Sequence, residues 1–362
     1  MNVEKPNKSY YPTLDGLRGL AILFVLLYHN FNFANHFFFA WLGVDLFFVL
    51  SGYLITSILL ESVNSPHYLR NFYMKRVLRV FPLYYLSLVI LLFLLPMLGF
   101  FQNEAPYYVH NQWWFWLYLQ NWLFSFHSPA SAHYMNHYWS LGVEEQFYLV
   151  WPFIILWLRK LRRLLVFMIA VLVVLLIFRS IMWMYRIEDF NYTTFYLFTR
   201  IDGICIGCLV AILQRINFNF LNKNTALIAV SLAILNFIFY FLNRNNNFPY
   251  FAFVGYTTFA ALFGLLLNES VAGETRIINA VLTIPVLKFF GKISYGLYIF
   301  HWPVYLIVYP FFIKKLEDLY HFNVGVTQVI CAIIATLAAL LISVISYYGF
   351  EMRFLKLKKY FR

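Results

Sequence analysis

Apolar runs of membrane-crossing length, separated by short polar or basic stretches, recur from one end of this sequence to the other. About 20 consecutive apolar residues in a helix cross the hydrocarbon core of a bilayer. The pattern predicts ten such spans, at about 17–33, 42–60, 80–101, 138–158, 164–183, 196–213, 225–242, 250–267, 286–309 and 324–348. The first follows a polar start (Met1 to Thr13) with no cleavage signal, so this helix is expected to be retained. A further apolar segment, Trp113 to Phe126, lies in a stretch, 102–137, that contains no Lys or Arg. Basic clusters follow the second span (Arg70, Lys75, Arg76, Arg79) and the fourth (Arg159, Lys160, Arg162, Arg163). Loops rich in Lys and Arg stay on the cytoplasmic side. Both clusters do so only if 102–137 begins and ends outside. Trp113 to Phe126 is therefore expected to be re-entrant or surface-lying rather than a crossing, with both termini cytoplasmic.

The fold class this predicts is all-α: one polytopic transmembrane domain over 1–362, integral to the plasma (inner) membrane. Composition agrees. The chain is 62% apolar, 22% aromatic and 12% charged, against about 25% charged in a soluble domain. The net charge of +12 suggests nucleic acid when taken alone. The basic residues, however, sit in short clusters between apolar runs, as topology signals and anionic-lipid contacts do. Membrane lipids are the expected partners, and no nucleic acid. Asn243 to Asn247 reads as a short polar loop. Cys205 and Cys208 have the spacing of a redox or metal motif, but they lie in an apolar run without a second pair, so packing is the expectation. Gly203 and Gly207 in the same run suit a close helix contact. No metal cluster with plausible ligand spacing appears, and no metal is expected.

The chemistry is sought in the ionisable groups that the spans carry. Arg18 and His29 are eleven residues apart in the first span. On a helix that is about 16 Å of rise and about 1100° of rotation, so both leave nearly the same face. Such groups cost roughly 3 kcal/mol each at bilayer depth and are seldom placed there without a task. The predicted topology puts Arg18 near the cytoplasmic face and His29 in the outer half. Asp45, Glu144, Glu145 and His301 are expected at the depth of His29, with Trp139 and Ser140 beside them, around a polar cavity open to the outside. A histidine beside a carboxylate takes protons from hydroxyls. His29 is then the candidate base, with Asp45 or Glu144 orienting it. Arg200 and Asp202 are equally well read as a structural contact, and Arg179 has no obvious partner. On the cytoplasmic side Arg76 and Arg79, three apart, join Arg18 in a set that fits phosphate oxygens or a topological anchor.

Five ordered motifs also resemble a known family, the acyltransferase-3 membrane acyltransferases. They are Leu14-Asp-Gly-Leu-Arg-Gly with Arg18 and His29 at R-x10-H spacing; Gly43-Val-Asp-Leu-Phe-Phe-Val-Leu-Ser-Gly-Tyr-Leu54; Arg76-x-x-Arg79 with Phe81-Pro-Leu-Tyr-Tyr85; Trp139-Ser-Leu-Gly-Val-Glu-Glu-Gln-Phe-Tyr148 with Trp151-Pro152; and Gly291-Lys-Ile-Ser-Tyr-Gly-Leu-Tyr-Ile-Phe-His-Trp-Pro303. The resemblance implies ten transmembrane helices, cytoplasmic termini and an acyl-coenzyme A donor, usually acetyl-CoA, used as substrate rather than held permanently. It also implies that the R-x10-H and R-x-x-R pairs are needed for activity. Glu351-Met-Arg departs from the family's Glu-Arg-Pro. The esterase-like domain of some members is expected to be absent, since the sequence stops at Arg362.

The expected activity is O-acyl transfer, acetyl before other groups. It runs from cytosolic acyl-CoA, held by Arg18, Arg76 and Arg79, to a hydroxyl of an extracytoplasmic acceptor. That acceptor is a carbohydrate or lipid-linked glycan. Aromatics of the external stretch (Tyr107, Tyr108, Trp113, Trp114, Trp116) would stack on sugar rings or form an interface belt. Two other classes stay open: a transporter or proton relay using the same buried charges, and a non-catalytic assembly subunit.

Overall fold

The structure is a computed structural model that describes residues 11–31, 37–126, 133–185, 195–217, 220–242, 254–273, 275–320 and 324–361. The polar start before Tyr11, Arg186, Arg244 and the Asn243–Asn247 loop lie outside the described residues. Among the described residues every regular element is helical, so the all-α expectation holds.

Helix α1 (Pro12–Asn30) opens with Pro12, whose missing N–H costs nothing in a first turn. It is followed by α2 (Gly43–Ser62) and by α3 (Tyr68–Val89), which continues through a π-helical turn to Met97. Three short helices come next: α4 (Ala105–His110), α5 (Gln112–Trp116) and α6 (Gln120–Phe126). Then come α7 (Trp139–Leu158), α8 (Leu161–Met184), the single turn α9 (Leu197–Arg200), α10 (Asp202–Arg215), α11 (Phe220–Leu242) and α12 (Tyr256–Ala272). The last are α13 (Arg276–Leu282), α14 (Pro285–Tyr320), α15 (Val324–Ser346) and α16 (Met352–Leu357).

Six stretches among the described residues are long and apolar enough to cross a membrane: Phe39–Ser62, Tyr68–Met97, Asn136–Leu158, Leu161–Met182, Pro285–Ile313 and Val324–Tyr360. The four other predicted positions also hold helices, but α1 carries Asp15 and Arg18, α10 has 14 residues and α12 has 17. Fourteen residues rise only about 21 Å, less than a bilayer core of about 30 Å. The predicted sixth span is not continuous; it breaks at Ile201 between α9 and α10. The third begins at Tyr68 rather than near residue 80, so Arg76 and Arg79 are helical residues of α3 and not its preceding loop.

Where the fold meets its surroundings, it is apolar. Leu337, Leu341 and Ile345 form a stripe on α15 and are 58–62% exposed. Val166, Val173, Val174 and Ile177 do the same on α8. Contiguous apolar faces of this kind need lipid rather than water. By contrast, Phe115, Gln120, Asn121, Leu123 and Phe124 are fully buried. Helices of five to seven residues cannot cross. The Trp113–Phe126 segment is therefore no crossing; it packs Phe115, Leu123 and Phe124 into the protein and leaves Trp113, Leu117 and Phe126 exposed.

The closest backbone approach lies between α1 and α14. A Cβ on Gly16 would stand 1.8 Å from the carbonyl oxygen of Leu282, the end of α13; across to α14, one on Gly19 would stand 2.0 Å from that of Leu287, and one on Gly291 1.8 Å from that of Asp15. Gly19 and Gly291 allow the backbones of α1 and α14 to touch. Gly207 of α10 fits likewise against Val49 of α2, as its spacing with Gly203 suggested. Since the obstructing atoms are backbone, no rotamer change relieves them. Gly19→Ala and Gly291→Ala should each cost about 1–3 kcal/mol or more. Gly349→Ala, which meets nothing within 4 Å, should stay within about 0.5 kcal/mol of wild type. Thermal unfolding of the detergent-purified protein would show equal midpoints for all three if the α1–α14 contact were not constrained.

Candidate functional site

Helices α1, α2, α3, α7 and α14 enclose an open cleft of about 840 Å³, counting the space at its mouth. Arg18, Arg76 and Arg79 line it, as do Glu144, Glu145 and Tyr148 from α7, Ser51 from α2, and Ser294, Tyr295 and Tyr298 from α14. Phe47, Leu50, Leu54 and Ile55 supply an apolar wall. Arg18 pairs with Asp15 one turn earlier. Among the described residues neither Arg76 nor Arg79 enters an ion pair; the Arg76 guanidinium instead lies 5.3 Å from the Tyr148 ring centroid. Glu144 accepts hydrogen bonds from Ser51 and Tyr148 hydroxyls, each at 3.0 Å. A cleft with an arginine pair uncommitted to carboxylates and one apolar side suits an amphipathic ligand with phosphate at one end.

The far end of α1 brings His29 to a second polar group. Its ring centroid is 5.0 Å from that of His301 and 4.9 Å from that of Trp302. The His301 ring is in turn 5.1 Å from His137, which precedes α7. His301 and His137 are buried. The His301 Nδ1–H donates to the Tyr298 carbonyl at 2.7 Å, and the His137 Nε2–H to the Ile299 carbonyl at 3.2 Å. A carbonyl only accepts, so these contacts fix both tautomers.

Between the arginine cleft and the histidines lies a thin partition. The Tyr298 hydroxyl donates to the His137 carbonyl at 2.7 Å and sits 2.5 Å from Ser140 Oγ. Both side chains line the cleft on one side. On the other, the Tyr298 ring is 5.6 Å from His137 and 5.8 Å from His301. Tyr298 is one turn before His301 on α14, so one helix face serves both compartments.

The sequence-predicted set thus divides. His29 and His301 meet as expected; Ser140 lines the cleft and touches the Tyr298 hydroxyl rather than either histidine ring. Glu144 and Glu145 do not join them; they face the cleft of Arg18, Arg76 and Arg79. Asp45 is claimed by Arg200, whose Nη2 reaches both its oxygens at 3.0 and 3.1 Å. Trp139 belongs there too: the Arg200 guanidinium lies 5.2 Å from its ring and 4.1 Å from that of Tyr256. Arg179, without a partner in the sequence reading, bonds Asp202 at 2.9 Å, the Thr199 carbonyl at 3.0 Å and Thr257 at 2.6 Å. Depth along a span carries no azimuth. Azimuth is what separates Asp45 and Glu144 from His29. His137 and Tyr298 were missed. His137 is two residues before Trp139, and Tyr298 shares a helix face with His301. Cys205, Cys208 and Cys331 are buried and unbridged.

Lipid-facing helices, a buried polar interior and a cleft with uncommitted arginines define an integral membrane protein with a site inside its bundle. Comparison with known sequences gives the family: residues 11–348 match the model described as "Acyltransferase domain", so this chain belongs to that acyltransferase family. The peptidoglycan O-acetyltransferase OatA of Listeria monocytogenes is 29% identical over 326 residues, 84% of this chain and 51% of its own length. YrhL of Bacillus subtilis, whose name carries the same activity provisionally, is 31% identical over 354 residues, 91% of this chain and 54% of its own. The chain spans about half the length of the curated relatives it matches. No solved structure matches it.

The buried ion pairs make a sharp prediction. Removing one partner of such a pair strands the other charge, at a cost of about 3–5 kcal/mol. Asp45→Ala should therefore unfold at much lower temperature, and Asp45→Ala combined with Arg200→Leu should recover part of the loss. A stable Asp45→Ala protein with abolished activity would instead return Asp45 to the chemistry.

Proposed function

We propose that this protein is an O-acetyltransferase of the plasma membrane, with both termini cytoplasmic. It moves an acetyl group from cytosolic acetyl-CoA to a hydroxyl of a cell-surface polysaccharide. Coenzyme A phosphates bind Arg76, Arg79 and Arg18 at the cytoplasmic mouth of the cleft. The thioester arm runs along its apolar wall towards the Ser140–Tyr298 partition. The acceptor comes from the opposite side to His29. The observation that carries the reading is one helix, α1, holding Arg18 in the cleft and His29 in the histidine group, with only a thin hydroxyl-bonded layer between the two compartments. The names of the relatives support acetyl as the group and peptidoglycan as a first acceptor to test.

In the transfer, the acceptor O–H gives its proton to His29. The oxygen forms a bond to the thioester carbonyl carbon, the C–S bond breaks towards sulfur, and the departing thiolate takes up the proton from the imidazolium. General-base help of this kind contributes about 10²–10⁴ in rate.

His29→Ala, at equal membrane abundance, should lower acetyl transfer by about that factor. Arg76→Gln with Arg79→Gln should raise the KM for acetyl-CoA by at least about tenfold, since charged hydrogen bonds contribute about 1.5–3 kcal/mol each, and leave acceptor KM unchanged. Ester-linked acetyl on surface glycans, compared between a deletion strain and strains restored with wild type or each variant, reads the outcome. No loss of acetyl on deletion would overturn the assignment.

A further inference from the structure

Among the described residues His29 has no carboxylate partner of the kind a histidine base ordinarily has. None of the ion pairs among the described residues includes it. Asp45 is taken by Arg200, and Glu144 by Ser51 and Tyr148. What stands beside His29 is another imidazole. The His301 ring lies edge-on to it, with centroids 5.0 Å apart and planes at 67°.

Three observations single out His301. Its side chain is fully buried, and its Nε2 has no hydrogen-bond partner. Its Nδ1–H is committed to the Tyr298 carbonyl, so Nε2 carries a bare lone pair. A buried acceptor without a donor costs about 1–3 kcal/mol, and a native structure keeps one only for a reason. Behind it the same arrangement repeats. His137 donates its Nε2–H to the Ile299 carbonyl and leaves its buried Nδ1 unpartnered, with its ring 5.1 Å from His301. Two imidazoles are thus each anchored to backbone by one nitrogen and present the other as an acceptor. The His29 ring adjoins His301 without a hydrogen bond to it in this structure, and its N–H is the donor the proposal assigns to that lone pair.

We propose that His301 is the positioning residue of His29. In the substrate-bound protein the two rings close up so that the His301 Nε2 accepts the N–H of His29, sets the ring and tautomer so that the opposite nitrogen faces the acceptor hydroxyl, and shares the proton when His29 becomes an imidazolium. The carboxylate's usual role passes to a neutral imidazole whose own tautomer is fixed by the Tyr298 carbonyl. No atoms are gained or lost in this step: the proton leaves the hydroxyl oxygen for one nitrogen of His29, and the N–H on its other side is held by His301. The proposal rests on the transferase reading above.

The test uses the full-length protein in membranes or detergent, with acetyl-CoA and a glycan acceptor. His301→Phe keeps a ring of similar size and removes the acceptor. It should lower kcat by about 10²-fold and change either KM less than twofold. His301→Gln, whose Oε1 can accept, should recover at least tenfold of that loss. Adding His301→Phe to His29→Ala should reduce the rate little further, because the two residues act as one unit. A His301→Phe protein as fast as wild type overturns the proposal, as do equal losses in the Phe and Gln variants with raised KM, which mark a packing role. If His29→Ala is itself as active as wild type, the underlying assignment of His29 fails, and this proposal falls with it. The two failures are told apart by which single variant retains activity.

Discussion

Everything in the site depends on two helices touching without side chains between them. At Gly19 and Gly291, α1 and α14 come within reach of each other's carbonyl oxygens. That contact fixes the rotation of α1 against α14. Rotation, in turn, decides that Arg18 opens into the same cleft as Tyr298 and that His29 meets His301. A larger residue at either position would separate the axes, and with them the residues eleven apart on α1 from their counterparts on α14. The sequence pattern Leu14-Asp-Gly-Leu-Arg-Gly is thus a packing motif and a chemical one at once.

Around this pair the protein stores charge in two ways. Arg200 with Asp45 and Arg179 with Asp202 are closed, buried units packed against Tyr256, Trp41 and Trp139. Neutralised within the protein, they tie α2 to α9 and α8 to α10 where apolar contacts alone would leave helix order unspecific. Arg76 and Arg79 are held differently. They face carboxylates and an aromatic ring across an open cleft and form no ion pair among the described residues. The contrast between satisfied and unsatisfied cations distinguishes scaffold from site more clearly than burial does.

Much of this was legible in the order of residues. Hydropathy located a helix at each predicted position, and charge asymmetry marked Trp113–Phe126 as a segment that does not cross. The Arg18–His29 spacing indicated a helix serving two levels. What linear reading could not supply was the direction each side chain takes around its helix axis. Asp45 and Glu144 share a predicted depth with His29 yet turn to Arg200 and to the arginine cleft. The break at Ile201, which carries Arg200 and Asp202 on separate helices, leaves no mark in an apolar run. His137 precedes the helix that was read for its motif, and its role comes from the Ile299 carbonyl, 162 residues away.

The hydroxyl-bonded pair of Ser140 and Tyr298 has a consequence for the cell as well as for the reaction. On the proposed route it is a plug between cytosol and exterior, and the donor arm must displace it to reach His29. Each turnover then opens, for a moment, a passage lined by arginines, glutamates and histidines in a membrane that holds a proton gradient. An enzyme built this way has to be a tight seal before it can be a fast catalyst. On that route, the hydroxyl contacts that delay the thioester would be the same ones that keep the membrane from leaking.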